Sequence, residues 1–157
     1  MRTQAPCRQP LAPAYAPRVT DPQPSAAGPP QPDEDAVVDA NQTFYRAIES
    51  LDNATMEAVW DPDPSVTCVH PGWPLMAGRD KVLQSWYTIF DNTMVMQFTV
   101  TESAVLVAGD LAWVVCTESL RSVVAGRVNE ATVEATNVFR RRDGQWRIVH
   151  HHGSPVM

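Results

Sequence analysis

At residue 94 the spacing of apolar side chains changes, and that change restricts the fold more than any other feature of the chain. Before it, Val37, Ala40, Phe44, Ala47, Ile48 and Leu51 recur at steps of three and four, one stripe on a helix of about four turns. Val82, Leu83, Trp86, Ile89 and Phe90 repeat that spacing after Gly78. From Met94 onward the step is two. Met94, Met96, Phe98 and Val100 share one parity and Val105 and Val107 the other, so a bulge or bend is expected near residues 102–104. Gly109-Asp110 and Ala125-Gly126 separate two further long strands, and Asp143-Gly144 is a strong hairpin signal leading into residues 145–152.

The segments before residue 94 are shorter. Asp33, Glu34 and Asp35 put negative charge where a helix N-terminus favours it. Asp52-Asn53 offers a stop and a new cap for a short helix over 54–60, which Asp61-Pro62-Asp63-Pro64 ends. Residues 65–70 (SVTCVH) alternate as a strand, Pro71-Gly72 turns the chain, and Pro74 holds a short return strand at an edge. Helices followed by long antiparallel strands make the class α+β.

Composition sets the limits of this domain. Nine of the 14 prolines precede residue 33, with only Leu11, Tyr15 and Val19 as sizeable apolar anchors. Residues 1–35 therefore read as a disordered, Pro-rich tail and 36–157 as one domain. That domain carries nine basic against fourteen acidic side chains, which argues against a nucleic-acid partner. No apolar run approaches the roughly 18 residues of a membrane span. Three scattered cysteines are too few for a disulfide framework or a Cys-rich zinc site. The expectation is a small, acidic, soluble protein of the cytoplasm.

A two-residue turn at Asp143-Gly144 would set Phe139 opposite Ile148, Asn137 opposite His150 and Ala135 opposite His152. One side of the sheet then carries those residues and the other carries Arg147 and His151. The first side is apolar except at its Asn137–His150–His152 end, the pattern of a ligand pocket. His150, His70 and His152 are the candidate acid–base groups, because imidazole titrates near neutral pH. Asn137 is the candidate for orienting His150 or donating to an oxyanion. The structural alternatives are a turn histidine at His70 and buried imidazoles bonded to backbone or to Asn137. Trp73, Met76, Trp86, Phe90, Trp113 and Phe139 either wall the pocket or serve as plain core. Glu118 is a possible base if it faces inward, with a solvated or interface position favoured, and Cys116 reads as a small core residue. Arg140-Arg141-Arg142 reads as a solvated hairpin end. With no carboxylate partner evident for the histidines, neither a metal nor another cofactor is expected.

Two stretches, VHPGWPLMAGRDKVLQSW (69–86) and NVFRRRDGQWRIVHHHGSP (137–155), resemble the SnoaL-like domains of the nuclear transport factor 2-like superfamily. The second also resembles the association domain of calcium/calmodulin-dependent protein kinase II. The resemblance implies a cone: a strongly curved, mixed or antiparallel sheet wrapped around three N-terminal helices. It implies a homodimer through the outer sheet face, and residues 111–116, apolar at both parities, agree, with Val114 taken as outward. The superfamily hosts isomerases, dehydratases, cyclases, hydrolases and non-catalytic dimerisation modules. The arginines that line the kinase domain's pocket correspond here to Val115, Asn137 and Gly153, so its anion site does not carry over. The Asp–Tyr–Asp set of ketosteroid isomerase is also missing. The expected function is a domain with an apolar pocket for a small apolar molecule, acting as a cofactor-independent lyase, isomerase or cyclase through histidine. The alternative is a non-catalytic ligand-binding or dimerisation module.

Overall fold

Asp33, Glu34 and Asp35 occupy the first turn of a helix, α1 (Pro32–Ser50), whose first residue is a proline. A missing N–H costs nothing there, and the fixed φ of proline suits the position. The helix thus begins four residues ahead of the expected 35/36 boundary. The computed structural model describes residues 32–157, apart from the side chains of Pro32 and Glu102, and the rest of the expected tail lies outside the described residues. A second helix, α2 (Asn53–Val59), is capped by Asp52, whose side chain accepts the Thr55 N–H at 2.7 Å. Then come β1 (Thr67–Val69), β2 (Met76–Ala77) and α3 (Arg79–Asp91). Four long strands finish the chain: β3 (Thr93–Ala108), β4 (Leu111–Val124), β5 (Arg127–Arg142) and β6 (Gln145–Pro155).

The strands form one sheet in the order β2-β1-β6-β5-β4-β3. All neighbours are antiparallel except β1 and β6, so the sheet is mixed. Asp143 and Gly144 both adopt positive φ, 52° and 74°, the two-residue turn whose twist matches the strands it joins. The helices lie against one face, where Phe44, Ile48 and Trp86 meet Val114, Phe139 and Ile148 in a single core. Glu49 of α1 is tied to the sheet by accepting the Phe98 N–H at 2.7 Å.

Two irregularities decide which residues reach that inner face. The first falls between Thr101 and Ala104 of β3, where the apolar parity change requires it. It keeps both Val100, opposite Glu118, and Val105, opposite Val114, on the inner side.

The second irregularity leaves the expected hairpin turn and its Phe139–Ile148 pair in place but overturns the pairing expected beyond them. Phe139 pairs with Ile148, but the next pair is Val138 with His150, so Val149 is an extra residue in β6. Beyond it Asn137 pairs with His151, Thr136 with His152 and Ala135 with Gly153. His151 is therefore the inward histidine, and His150 and His152 lie on the outer face, contrary to expectation. The physical reason is a change of neighbour. The Ile148 carbonyl accepts the Asp61 N–H at 2.9 Å beside the Trp60 bridge, whereas from His150 onward the same strand edge pairs with β1.

Three further corrections concern faces and surfaces. Trp113 stands on the outer face between Leu106 and Val138, not in a pocket wall, and Val114 is buried on the inner one. The arginine run is ion-paired rather than simply solvated: Arg140 meets Asp63 at 3.0 Å, Arg141 meets Asp33 at 2.7 Å, and Arg142 meets the fully buried Asp61 at 3.2 Å.

Candidate acid–base site

The inner face carries a line of polar side chains inside an otherwise apolar core. Asn41 and Tyr45 are one turn apart on α1 and so share a helix face. Cys116 and Glu118 are alternate residues of β4, while Asn137 of β5 pairs with His151 of β6. All six are buried, with Glu118 and His151 each 3% exposed.

The hydrogen bonds have one consistent direction. The Tyr45 hydroxyl donates to Glu118 Oε1 at 2.6 Å, which uses its only proton. Its oxygen must then accept from the Asn137 amide at 3.0 Å and from the Cys116 thiol at 3.3 Å. Asn137 Nδ2 also donates to Asn41 Oδ1 at 2.8 Å, leaving Asn137 Oδ1 to accept from His151 Nδ1 at 2.7 Å. That assignment puts the His151 proton on Nδ1 and leaves Nε2 bare. His70, at the end of β1, follows the same logic. Ser85 donates its hydroxyl proton to the Val82 carbonyl at 2.7 Å, so His70 Nε2–H donates to Ser85 Oγ at 2.8 Å. His70 Nδ1 then has only the Cys68 sulfur near it, at 3.9 Å.

A chamber of about 80 Å³ lies where these groups meet, lined by Ile48, His70, Pro71, Trp86, Ile89, Met96, Phe98, Glu118, Leu120 and His151. A larger, open groove of about 320 Å³ runs between α1 and β3–β4 past Asn41, Tyr45, Val100 and Val114, and shares Phe98 with the chamber.

Burial sets the charge states. It pushes the Glu118 carboxyl up to about 7, against the opposing effect of the Tyr45 hydrogen bond. It lowers His70 to about 4 and His151 to about 3, with the neighbouring histidines adding to the effect on His151. At neutral pH the imidazoles are uncharged and the carboxylate alone is poised to gain or lose a proton.

Of the expected site residues, His70 and Asn137 belong to this cluster, Asn137 through His151 rather than His150. His150 faces outward and bonds Thr67 Oγ1 through Nδ1 at 2.7 Å, while His152 is exposed, its ring centroid 6.1 Å from that of His150. Three histidines split between two faces of a sheet cannot share a metal ion. Trp86 lines the chamber and packs edge-on against His70, centroids 4.4 Å apart, with Phe90 behind it. Trp73 covers His70 from outside, 5.2 Å away and 43% exposed. Met76 is half-buried beside α3, and Phe139 is core.

Glu118 faces inward, the less favoured of its two readings. Tyr45 and Asn41 carry no site signal in the sequence, because they sit beside the apolar stripe of α1, where a polar residue reads as surface. His151 was hidden by the β6 bulge.

The sequence profile of the SnoaL-like domain family matches residues 37–157. A structure from Streptomyces avermitilis, described as a candidate dehydratase of the NTF2-like family, is 42% identical. The match covers 80% of this chain and 96% of that one, with a TM-score of 0.75. A candidate calcium/calmodulin-dependent protein kinase type II association domain from Thiobacillus denitrificans is 30% identical over 75% and 93% of the two chains, with a TM-score of 0.67. The F-box protein SKIP8 of Arabidopsis thaliana is 29% identical over 122 residues, 78% of this chain but only 50% of that longer protein.

Proposed function

We propose that this chain, which belongs to the SnoaL-like domain family of the nuclear transport factor 2-like superfamily, is a cofactor-independent acid–base catalyst for a small, largely apolar molecule. The reaction class is lyase or isomerase, in keeping with the relative described as a candidate dehydratase. The observation that carries the reading is Glu118. A carboxyl braced by Tyr45, enclosed beside a chamber and held near 7, matches a proton carrier at neutral pH. As carboxylate it takes a proton from carbon next to a carbonyl. As acid it returns that proton, either to another carbon or to a departing oxygen. The neutral histidines position and accept hydrogen bonds. Burial opposes their cationic forms, so the proton-carrying role moves from histidine, where the sequence alone put it, to Glu118.

The test is a panel of small β-hydroxy ketones and unsaturated ketones, assayed for water loss or double-bond migration across pH. Turnover should change through an inflection near 7 and fall at least about a hundredfold in Glu118→Gln. Undiminished turnover in that variant would overturn the assignment.

A second reading, a non-catalytic ligand-binding or association module, draws on the outer face. Leu106, Trp113 and Val138 form a row across β3–β5 with Val115 beside it, and Leu106 and Val115 are 47% and 40% exposed. We infer a homodimer through this face for the enzyme and the module alike, since soluble monomers avoid such patches. Ligand binding without turnover across the panel would favour the module. Free Cys68 and Cys116 agree with a reducing, cytoplasmic setting. No helix among the described residues is long and apolar enough to cross a membrane.

A further inference from the structure

We propose that the chamber is a subsite for a neutral hydroxyl group, which donates its hydrogen bond to His151 Nε2, and that Asn137 is the positioning residue that keeps that nitrogen bare. The inference rests on the acid–base reading of the same site and names what the substrate carries: an alcohol, not an acid or a phosphate.

The assignment follows from the network. The Tyr45 proton is committed to Glu118, so the Tyr45 oxygen needs donors, and the Asn137 amide must turn its NH₂ toward it. The amide oxygen is left facing His151 Nδ1, which can only donate to it. Nε2 consequently bears a lone pair, has no partner among the described hydrogen bonds, and belongs to a ring that lines the chamber. His70 commits its proton to Ser85. The indole N–H of Trp86, the remaining nitrogen donor in the wall, has no hydrogen-bond partner among the described residues but is itself enclosed, so it is not presented to a guest. Apart from the Glu118 proton, the chamber therefore offers acceptors, and a guest held at His151 must donate.

Charge narrows the guest further. No lysine or arginine lines the chamber, and an anion would face imidazole lone pairs and the Glu118 carboxylate. An ammonium could pair with the Glu118 carboxylate but would lose the rest of its hydration against Ile48, Ile89, Met96 and Leu120, a cost that a neutral hydroxyl does not meet. The volume of about 80 Å³ holds a hydroxymethyl-sized group or two to three waters. A hydroxyl held there lies in the chamber that Glu118 lines, where its departure as water, or its use as a handle, is within the proposed chemistry.

The test uses the full chain labelled with [15N]histidine, read by the imidazole nitrogen resonances between about pH 6 and 8. His151 should show a bare Nε2 and a protonated Nδ1, and His70 the reverse, with neither titrating in that range. Methanol should move the His151 Nε2 resonance saturably, while formate and methylammonium leave it in place. In Asn137→Asp the added carboxylate should let His151 titrate in the same range and make the methanol response at least about tenfold weaker. A protonated Nε2 or an imidazolium at neutral pH in the wild-type protein would overturn the proposal. So would no response to methanol, or formate or methylammonium saturating as methanol does. A methanol response unchanged in Asn137→Asp would remove Asn137 from its role. The acid–base reading fails separately, on undiminished turnover in Glu118→Gln, whatever the nitrogen resonances of the wild-type protein show.

Discussion

Glu118→Gln should make the fold more stable, by an amount that grows with pH. The folded carboxyl holds its proton up to about 7, against 4.5 for the free side chain, a displacement of about 2.5 units or about 3 kcal/mol. Between those two values the folded chain keeps a proton that the unfolded chain has lost. The stability that Glu118 contributes is thus fully present below 4.5 and is lost as pH rises through 7. Glutamine has the same shape, still accepts the Tyr45 hydroxyl, and does not ionise. The variant should match the wild type near pH 4.5 and exceed it by about 3 kcal/mol at pH 8. Urea unfolding at a series of pH values measures the difference.

His70 and His151 act in the opposite sense. Their folded values of about 4 and about 3 lie below the usual 6.5, so the stability they contribute is present above 6.5 and lost as pH falls through those values. Both histidines are present in both proteins, so they bend each curve without altering the difference. Stability curves that run parallel from pH 4.5 to 8, or a variant less stable at pH 8, would show that Glu118 is ionised at little cost and refute the reasoning.

Deleting residues 1–31 should leave the melting temperature within a few degrees, because the first core residue is Val37; a collapse of stability would show that the tail packs on the body. Val115→Lys should convert the dimer to a monomer in sedimentation, and a wild-type monomer of 17.3 kDa at micromolar concentration would rule the dimer out. Raised salt should shift the dimer constant only modestly, since Glu134 and Arg140 share that face with apolar residues. Elemental analysis of untagged protein should find no stoichiometric zinc, copper, nickel or iron, and a one-to-one content lost in His70→Ala would reverse that expectation.

How far the sequence could be read depended on whether a shift in register changed the kind of residue on each face. In β3 it did. A straight strand would have left either Val100 or Val105 facing water, and the parity change among apolar residues demanded the bulge that the structure contains. The helix termini were legible for a similar reason: an acidic first turn in α1 and an Asp cap on α2 are local chemistry that tertiary packing did not override. Glu118 was half legible. Its strand was clear, but its face depended on the turn at Ala125-Gly126, whose two positive φ values the residue types alone did not settle.

In β6 a shift in register was silent. His150, His151 and His152 are consecutive, so a one-residue slip still sets a histidine opposite Asn137, and the slip shows only at the end of the run, where Gly153 takes the place of His152 opposite Ala135. The residue that breaks the tie is Gly153. It pairs with Ala135 on the inner face, where an added Cβ would lie 2.9 Å from the Pro71 ring and 3.0 Å from Val133. Only the bulged register points this glycine at those neighbours, whereas the unbulged one would spend it on the open outer face and press a histidine into the same space. The glycine, the Pro71 turn and the inward His151 are therefore one arrangement. The turn that carries His70 packs on the residue two places beyond His151, and so fixes both chamber histidines together. The two displaced histidines then fall beside the row of Trp113 and Val138, on the face inferred to meet a second chain. One strand thus supplies the hydrogen-bond acceptor inside the cone and polar residues on its outer wall, and the extra residue at Val149 decides which histidine does which.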